Sequence, residues 1–435
     1  MSMRGRRTRR TGRAAVAREL PERVDVAIVG AGIVGVCIAD ALVSRGASVA
    51  LLERGELCSG ASYGNAGWVF PSHCLSIPQP GVIRNALRWL GDPDSPFYIR
   101  PRVSLELWRW LWAFRGACNA QAMQRASALR RTLALASLDH YAKFAARGDL
   151  SFGFERNGLM LVCKSAEGLL HAERELAMLR ELGGEGERLT PEQARMRSPA
   201  LTTDLRGAVF YPGDAHLDPE AFVRALAEDL ELRGAAVRPG SELVDVEWTR
   251  ASGVVVHTTR GELRCKDLVL AAGAWTPRLA EPLGLRIPVE AAKGYSWTMR
   301  RPESFRSPPM LLSEARVAVT PLGGRVRFAG TLELAGLDLS VNLRRVRAIE
   351  RAIPEYLPHL PPLEPIELWR GLRPLTPDDL PIIGRPAATR GLVLATGHGM
   401  SGVSQAPATG ELVAQLLSGE PTSISLAPFS PDRFE

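Results

Sequence analysis

Apolar and polar residues follow two different periods near the start of the chain. "VDVAIV" is a short apolar run, rich in β-branched residues, which predicts a strand. "IVGVCIADALVSRG" has the apolar spacing of a helix that ends at Gly46, and "SVALLE" predicts a second strand that ends in Glu53. Strand, helix and strand in this order predict a βαβ unit with parallel strands.

The same order of patterns occurs again near the end of the chain. "GLVLAT" predicts a strand, "ATGHGMSGVSQAP" at residues 395–407 is rich in glycine, and "ATGELVAQLL" has helical spacing. Each of the two turns therefore leads into a helix N-terminus, whose N–H groups favour a negatively charged partner.

Alternating runs also occupy the middle of the chain. "FGFERNGLMLVC" predicts a strand between helical segments, and "LDPEAFVRALAEDLELRG" predicts a helix with Asp218 as its N-cap and Pro219 in its first turn. "SELVDVEW", "GVVVHTT" and "LRCKDLVLAAGAW" predict further strands. "AKGYSWTM", "RVAVTP" and "RVRFAGTLEL" alternate as expected for a sheet that is covered on one face.

The turn after the first strand carries a GxGxxG motif. Gly30 permits the tight turn, Gly32 lets the backbone approach a pyrophosphate, and Gly35 lets the helix lie close to the strand. Glu53 can accept hydrogen bonds from ribose hydroxyls, and it would repel the 2′-phosphate of NADP. The complete βαβ context predicts a dinucleotide site, although this motif alone does not separate FAD from NAD.

Composition narrows the function classes. A chain of 435 residues favours two domains. The formal net charge is +7, but residues 1–20 hold seven arginines and one glutamate, so the rest of the chain is nearly neutral and a nucleic-acid partner is not expected. The six cysteines are scattered without a CxxC pair or metal-ligand spacing, which favours a reduced, cytoplasmic protein with no bound metal.

One apolar stretch leaves two interpretations open. No run of 18 apolar residues occurs, so no membrane span is predicted. In "LELWRWLWAF", residues Leu105, Trp108, Leu111 and Trp112 share one helical face while Trp110 points elsewhere. This face either packs in the core or between domains, or lies peripherally at a bilayer interface such as that of the inner membrane.

The segment after Glu53 carries a family resemblance. Small residues in "CSGASYGNAGW" suit a backbone that passes a flat, bulky group, and here the chain resembles the D-amino acid oxidase (DAO) superfamily. It is most similar to bacterial D-amino acid dehydrogenases, including D-hydroxyproline dehydrogenase-like members, from about residue 23 to 425, and "DPDSPFYIRPR" at residues 92–102 is part of that similarity. The resemblance implies FAD, held non-covalently, because residues 367–394 lack the cysteine that attaches flavin in some sarcosine-type relatives.

The resemblance also assigns the cofactor contacts, including the pyrophosphate turn, the ribose acid, a backbone contact to adenine and a loop at the pyrimidine edge of the flavin. The matching residues are Gly30, Gly32, Ile33, Val34, Gly35, Glu53, Arg54, Ser62, Asn65, Ala66, Gly67, Leu243, Ala272, Gly273, Trp275, Gly399, Met400, Ser401, Gly402 and Val403.

The substrate side is predicted from "ELWRGLRPLTPDDLPIIGRP", which resembles the superfamily signature before its last flavin loop. The resemblance implies that Arg373 binds the substrate carboxylate, and a guanidinium fork suits that role. A structural salt bridge from Arg373 to Asp378 or Asp379 is the alternative. Tyr295 either hydrogen-bonds the substrate or lines the core, and Glu333 either faces an amine or lies at a sheet edge.

His398 and Met400 lie inside the second glycine loop. The resemblance predicts that His398 contacts the cofactor or the substrate, and it places His398 with Arg373 and Tyr295 as the catalytic candidates. Relatives that oxidise glycine can carry an arginine at the Met400 position. Its absence speaks against glycine as the substrate.

The predicted fold class combines α/β and α+β parts. A Rossmann-like FAD-binding domain of the glutathione-reductase type accompanies a discontinuous substrate domain, built on a mostly antiparallel sheet with helices. The predicted ranges are 1–22 for a disordered Arg-rich tail, 23–80, 201–275 and 367–425 for the FAD-binding domain, and 81–200 and 276–366 for the substrate-binding domain.

The predicted activity is oxidation of D-amino acids, with D-proline or cis-4-hydroxy-D-proline as cyclic candidates. A hydride passes from Cα to flavin N5, and the electrons leave to an external acceptor such as a quinone, an electron carrier or another subunit. Four alternatives stay open at this point: a glycine or sarcosine oxidase that uses O₂, an FAD subunit of a larger dehydrogenase, an NAD-linked dehydrogenase and a tRNA-modifying flavoprotein. The sequence does not fix the oligomeric state.

Overall fold

A computed structural model of the protein describes residues 19–90, 95, 97–249 and 253–435. Most of the predicted Arg-rich tail lies outside these residues, as does part of the segment "DPDSPFYIRPR". The helices are α1 (Ile33–Val43), α2 (Val82–Leu90), α3 (Leu105–Ala117), α4 (Ala120–Ala146), α5 (Ala166–Glu181), α6 (Pro191–Arg197), α7 (Pro219–Leu232), α8 (Thr276–Ala280), α9 (Leu343–Tyr356) and α10 (Gly402–Ser418).

The strands are β1 (Val26–Val29), β2 (Val49–Glu53), β3 (Trp68–Val69), β4 (Phe97–Ile99), β5 (Leu159–Cys163), β6 (Glu187–Leu189), β7 (Gly207–Tyr211), β8 (Ala215–His216), β9 (Ala236–Pro239), β10 (Leu243–Thr249), β11 (Gly253–Thr258), β12 (Gly261–Cys265), β13 (Asp267–Leu270), β14 (Glu290–Arg300), β15 (Met310–Leu312), β16 (Val317–Leu322), β17 (Arg325–Leu334), β18 (Pro365–Leu375), β19 (Ile382–Gly384) and β20 (Leu392–Thr396). Short 3-10 helices lie at Gly273–Trp275, Glu281–Leu283, Ala427–Phe429 and Pro431–Phe434.

Six strands form a sheet in the order β19-β20-β13-β1-β2-β9, and every neighbouring pair is parallel except β19 with β20. The strands β1 and β20 are buried along their whole length, as expected for a parallel sheet covered on both faces. Ile28 packs on the side of α1, α7 and α10, whereas Ala27 packs toward the antiparallel sheet β10-β11-β12. This arrangement confirms the Rossmann-like part of the predicted fold.

The larger sheet has the order β18-β14-β17-β16-β15-β5-β7-β6, with β4 paired to β17. Its pairs are antiparallel except β15 with β5 and β17 with β4. Helix α9 covers one face, where Val346 and Ile349 pack with Phe328. The mostly antiparallel sheet of the predicted fold class is therefore present.

The sheets do not follow the predicted ranges at two points. The strands β7 and β18 lie in ranges predicted for the FAD-binding domain, yet both pair within the larger sheet. For β18 the reason is its eleven-residue length, which lets it pair along the whole of β14. The domain boundaries themselves stay a prediction.

Helix α3 is oriented by one tryptophan. Trp110 is only 5% exposed, stacks on Phe114 and donates its indole N–H to the carbonyl of Leu375 at 3.0 Å. Trp108 and Trp112 lie on the opposite face, with 65% and 73% of their surface exposed. The structure therefore contradicts the interpretation that the face of Trp108 and Trp112 packs in the core.

Candidate cofactor and substrate site

A single cavity of roughly 1020 Å³ extends from the carboxyl end of β1 to the face of β18, β14 and β17. One end is lined by the first glycine turn, and the other by Arg373 and the second glycine loop. The carboxyl ends of parallel strands are the usual place for a ligand in an open α/β sheet. The two glycine-rich segments, which are far apart in sequence, therefore line one space.

The first glycine turn has the close contacts that its motif predicts. A Cβ on Gly30 would lie 2.5 Å from the carbonyl oxygen of Ala271, and a Cβ on Gly35 would lie 1.9 Å from the carbonyl oxygen of Gly30. Gly30 also has a φ of 109°, which L residues rarely adopt. Gly32 is the N-cap of α1 and has no side chain to cap the helix; Ser62 accepts from the N–H of Ile33, and the N–H groups of Val34 and Gly35 that follow suit an anionic group.

The predicted ribose acid, Glu53, lies at the same end of the cavity as the first glycine turn. Glu53 accepts hydrogen bonds from the N–H groups of Ala31 at 3.0 Å and Gly55 at 3.1 Å, which fix its carboxylate at the end of β2. The guanidinium of Arg54 lies 4.2 Å from the ring centre of Trp275. Ser241, next to these residues, has a buried hydroxyl without a described hydrogen-bond partner. A polar ligand group at this end would satisfy it.

The small-residue segment at 59–67 forms the middle wall. Ser62 accepts a hydrogen bond from the N–H of Ile33 at 3.0 Å and so joins this segment to the start of α1. The buried guanidinium of Arg327 donates to the carbonyls of Tyr63 and Asn65 at 3.0 and 2.8 Å. These bonds hold the backbone in one shape along the cavity.

The Trp369 ring packs closely against the same segment. A Cβ on Gly64 would come within 2.0 Å of the Trp369 ring, and one on Gly371 within 1.9 Å. Trp369, Gly371 and Arg373 alternate along β18 and therefore share the face that looks into the cavity. Glycine at both positions is what allows the indole to lie there.

The second glycine loop is tied directly to the segment that carries Arg373. The N–H of Gly399 donates to the carbonyl of Pro374 at 2.8 Å, and an isolated bridge joins His398 to Leu375. No side chain caps the N-terminus of α10. The loop thus places an uncapped helix start beside Arg373 in the cavity wall.

His398 is buried and neutral. Burial lowers its pKa to about 3. Thr409 uses its single hydroxyl hydrogen on the carbonyl of Gln405, so the contact of 2.9 Å between His398 Nε2 and Thr409 Oγ1 is a bond donated by the imidazole. These contacts anchor the loop to α10 and leave Nδ1 without a proton.

A buried ion pair supports the loop from behind. Arg130 on α4 lies 2.5 Å from Asp379 and donates to the hydroxyl of Ser401 at 2.8 Å. Asp379 also accepts from the N–H of Ile77 at 2.9 Å. Burial raises the pKa of Asp379, and Arg130 opposes that shift. The pair connects α4, the loop at Ile77 and the start of α10.

Arg373 is partly buried and has a different environment from the buried arginines Arg130 and Arg327. It donates from Nη1 to the carbonyl of Thr331 at 2.8 Å, and burial lowers its pKa to about 10. The acids that were the alternative partners are occupied elsewhere, since Asp378 pairs with Arg433 at 2.8 Å and Asp379 with Arg130. No acid among the described residues is within salt-bridge distance of Arg373, so its fork is available to an anion from the cavity.

Gly294 makes room for this guanidinium. A Cβ there would lie between 2.3 and 2.5 Å from three guanidinium atoms of Arg373. Gly294 occurs at a register shift in the pairing of β14 with β17. The glycine and the bulge together let Arg373 cross β14 and reach Thr331 on β17.

Tyr295 and Glu333 belong to a neighbouring polar cluster. Tyr295 Oη accepts from the N–H of Asn342 at 3.0 Å at the start of α9, and burial raises its pKa. Lys293 Nζ lies 2.9 Å from Asp338 and 3.6 Å from Glu333, so the amine that Glu333 faces is a lysine of this chain. These contacts favour the core role stated as the alternative for Tyr295, although part of Tyr295 borders the cavity.

Most of the predicted contact residues line the cavity, including Arg54, Leu243, Ala272, Gly273 and Met400. Gly35, Gly67 and Ser401 do not. Gly35 packs under Gly30, a Cβ on Gly67 would meet the carbonyl of Leu217 at 2.1 Å, and Ser401 is turned toward Arg130. Their positions shape the wall rather than face a ligand.

The backbone shape of the wall carries no sequence signal. Thr331 and Asp379 have φ values of 65° and 59° and line the cavity, and strained backbone of this kind concentrates at functional sites. The buried hydroxyl of Thr331 has no described hydrogen-bond partner. The spacing of "RGLRP" indicated Trp369 and Arg373 on one face, but only strand pairing brings Gly294 and Thr331 to them.

The residues present fit FAD. The cavity joins an uncapped helix start, a ribose acid, a glycine-lined wall and two unpartnered buried hydroxyls, Ser241 and Thr331. No cysteine is among the described lining residues, so a covalent thioether has no donor there. No group of three or more His, Cys, Asp or Glu residues in the described chain is arranged to hold a metal ion.

Known proteins share this sequence and fold. The family described as "DAO: FAD dependent oxidoreductase" matches residues 25–416. A D-amino acid dehydrogenase of Granulibacter bethesdensis is 31% identical over 94% of this chain and 99% of its own, and a D-amino-acid oxidase of Bradyrhizobium diazoefficiens is 35% identical over 95% and 100%. Glycine oxidase from Geobacillus kaustophilus superposes with a TM-score of 0.74 at 28% identity, covering 95% of this chain and 99% of the other.

Proposed function

Because this chain belongs to the DAO family of FAD-dependent oxidoreductases, we propose that it holds FAD non-covalently and oxidises D-amino acids to imino acids, which water hydrolyses to 2-oxo acids. The observation that carries the proposal is Arg373, a partly buried guanidinium with no acid partner among the described residues, facing the cavity beside the second glycine loop. A substrate carboxylate supplies the missing negative charge. The names of the two relatives support the D configuration.

Arg373 orients the substrate. Its Nη1 is held by Thr331 at 2.8 Å, so the remaining N–H groups form a fixed fork for two charge-assisted hydrogen bonds to a carboxylate. FAD, held by the first glycine turn and Glu53, would supply the acceptor for the hydride from Cα. Such a reaction depends on orientation and electrostatics more than on side-chain acids and bases, which agrees with the neutral His398 and the engaged hydroxyl of Tyr295.

The start of α10 contributes to the electrostatics. Gly402 begins this helix, and its first N–H groups and dipole favour negative charge in the cavity beside them. The predicted role of the loop at the flavin pyrimidine edge is consistent with that polarity. His398 acts as a positioning residue, since its contacts are with Thr409.

We also propose which substrates and electron acceptors the protein uses. D-proline and cis-4-hydroxy-D-proline are cyclic candidates from the sequence. A glycine or sarcosine oxidase that uses O₂ is the second candidate, favoured by the similarity to a glycine oxidase and opposed by Met400 at the predicted arginine position. The electrons of a dehydrogenase pass to an external acceptor, a quinone, a carrier or another subunit.

A substrate panel tests this function. The purified protein is assayed with D- and L-alanine, D-glutamate, D-proline, cis-4-hydroxy-D-proline, glycine and sarcosine, once with an electron-accepting dye and once with O₂. We expect dye reduction with D-amino acids, little with their L enantiomers, and loss of turnover when FAD is removed. Turnover confined to glycine and sarcosine with O₂ would establish the second candidate instead.

We also propose that the outer face of α3 contacts a lipid bilayer. Trp108 and Trp112 are exposed on one face, and the Arg115 guanidinium lies 5.4 Å from the Trp112 ring centre. Tryptophan and arginine are favoured at the interface between membrane and water. Leu111 and Phe114 of the same helix line the cavity, so a lipid-soluble acceptor that enters there has a short path to the cofactor. No helix of the described residues is long and apolar enough to cross the membrane.

A further inference from the structure

A second arginine, Arg316, lines the cavity near Thr331, the β17 residue that accepts a hydrogen bond from Arg373. Arg316 comes directly before β16, which pairs with β17, and its carbonyl oxygen would lie 3.3 Å from a Cβ on Gly330, the neighbour of Thr331. Thr331 is the residue whose carbonyl accepts from Arg373. Arg316 and Ala318 both line the cavity.

The backbone is strained at Arg316 and at Thr331. Arg316 has a φ of 53° and Thr331 a φ of 65°, in the left-handed region that non-glycine residues seldom occupy. Strain of this kind persists where the surrounding structure fixes it, and it concentrates at ligand sites. Both strained residues line the cavity, and Thr331 holds the guanidinium of Arg373.

The guanidinium of Arg316 has no hydrogen-bond or ion-pair partner among the described residues. The nearest acid in the same part of the cavity is Glu175 on α5, which is 8% exposed. Its oxygens face two imidazoles, since His171 Nε2 lies 3.1 Å from one and His73 Nδ1 lies 3.8 Å from the other. Burial opposes the ionisation of Glu175, whereas the two imidazoles and the charge of Arg316 lower its pKa. Arg316 forms no ion pair with Glu175 among the described contacts, so its guanidinium is available to an anion in the cavity.

We infer that Arg316 binds a second carboxylate, on the side chain of the substrate, so that the preferred substrates are dicarboxylic D-amino acids such as D-glutamate and D-aspartate. The inference rests on the proposed function. Arg373 reaches β17 at Thr331, and Arg316 lines the same cavity with its backbone beside Gly330 of β17. A dicarboxylic amino acid in this cavity would have one guanidinium for each of its carboxylates.

A monocarboxylic substrate would use only half of this arrangement. Arg373 alone suffices to hold an α-carboxylate, and a neutral side chain would leave Arg316 without an anion. The lobe around Arg316 also offers imidazole groups at His73 and His171, which suit a polar side chain better than an apolar one. The apolar part of the cavity lies elsewhere, along α2 and α3.

The experiment compares kcat/KM for D-glutamate and D-aspartate with kcat/KM for D-alanine in the holoenzyme. We expect the wild type to prefer the acidic substrates. Arg316→Gln is expected to lower the ratio of acidic to neutral kcat/KM by about tenfold to a hundredfold, the usual effect of losing a charge-assisted hydrogen bond. Arg174→Gln is the matched control, because Arg174 is an exposed arginine on α5 next to Glu175 and outside the cavity.

A binding measurement separates this inference from the proposed function. Glutarate and butyrate are titrated into the holoenzyme while the flavin absorbance is followed, and we expect glutarate to bind at least tenfold more tightly in the wild type and about equally with butyrate in Arg316→Gln. Equal binding in the wild type, or an acidic-to-neutral ratio that Arg316→Gln leaves unchanged, overturns the second carboxylate site. If no D-amino acid reduces the flavin, the proposed function fails, while the titration still decides the role of Arg316.

Discussion

At the scale of single residues, burial and partners decide what each ionisable group of the cavity does. Arg373 has a backbone carbonyl as its described partner, which leaves its fork for a ligand, whereas Arg130 is matched by Asp379 and acts as a structural tie. His398 is buried in the same wall, but its proton is committed to Thr409. The family signature predicted Arg373 and His398 together, and only the contacts separate a binding residue from a positioning one.

His398 gives a prediction on pH. Its native pKa of about 3 is below the unfolded value of 6.5, so the unfolded chain binds one more proton between these values and stability is lost as pH falls through that window. Between pH 7 and pH 5 we expect the wild type to lose about 2 kcal/mol from this group. In His398→Gln, urea unfolding at the two pH values is expected to show a smaller loss. An unchanged pH dependence would contradict the assignment of a buried neutral imidazole.

Only some of these residues could be predicted from the sequence. Gly30, Gly32 and Glu53 were predictable because each has a local reason, set by a turn, a helix start and a strand end. Thr331 and Arg316 were not, because their significance comes from strand pairing and from a left-handed backbone that the sequence does not announce.

At the scale of elements, β18 is the surface on which the cofactor wall and the substrate anchor meet. Its alternation puts Trp369 against the segment at Gly64 and puts Arg373 beside the second glycine loop. The sequence showed that alternation, yet the predicted ranges placed β18 in the FAD-binding domain. Its backbone pairs with β14 rather than with the nearby β19 and β20, while the domain boundaries stay a prediction.

Gly64→Ala tests this packing. The new Cβ would collide with the Trp369 ring, and we expect a loss of about 1–3 kcal/mol in stability together with weaker FAD binding. Adding Trp369→Leu in the same chain is expected to recover part of the stability, because the collision is removed. Gly60→Ala is the control, since its Cβ would meet nothing within 4 Å. Thermal unfolding and FAD titration measure both effects, and equal effects at Gly60 and Gly64 would contradict the account.

At the scale of the whole molecule, the cavity lies where the two large sheets come together, and α3 carries its wall to the surface. The two-sheet fold could be predicted from the order of strand, glycine turn and helix and from the alternating runs. The orientation of α3 could not, because the sequence pattern puts four apolar residues on one helical face. Burial of Leu107 and Trp110, with the hydrogen bond from Trp110 to Leu375, instead leaves Trp108 and Trp112 exposed.

The exposed tryptophans predict binding to membranes. Trp108→Ser with Trp112→Ser is expected to lower sedimentation with anionic lipid vesicles several-fold, because interfacial aromatic side chains are lost, while dye reduction with a D-amino acid in solution is retained. Trp248→Ser, on β10 in the three-stranded sheet, is the matched control. Vesicle binding that is weak in the wild type or insensitive to the double substitution would contradict this role for α3.

The central claim is that Arg373 anchors the carboxylate of a D-amino acid against FAD, and anaerobic reduction of the bound flavin measures it most directly. The wild-type holoenzyme is mixed with D-glutamate or D-alanine, and with their L enantiomers, and the flavin absorbance is followed. We expect fast bleaching by the D enantiomers, and in Arg373→Lys a rate lower by about a hundredfold with FAD content unchanged, since a point charge replaces a fork. Bleaching at the wild-type rate in Arg373→Lys, or no bleaching by any D-amino acid in the wild type, would contradict the account.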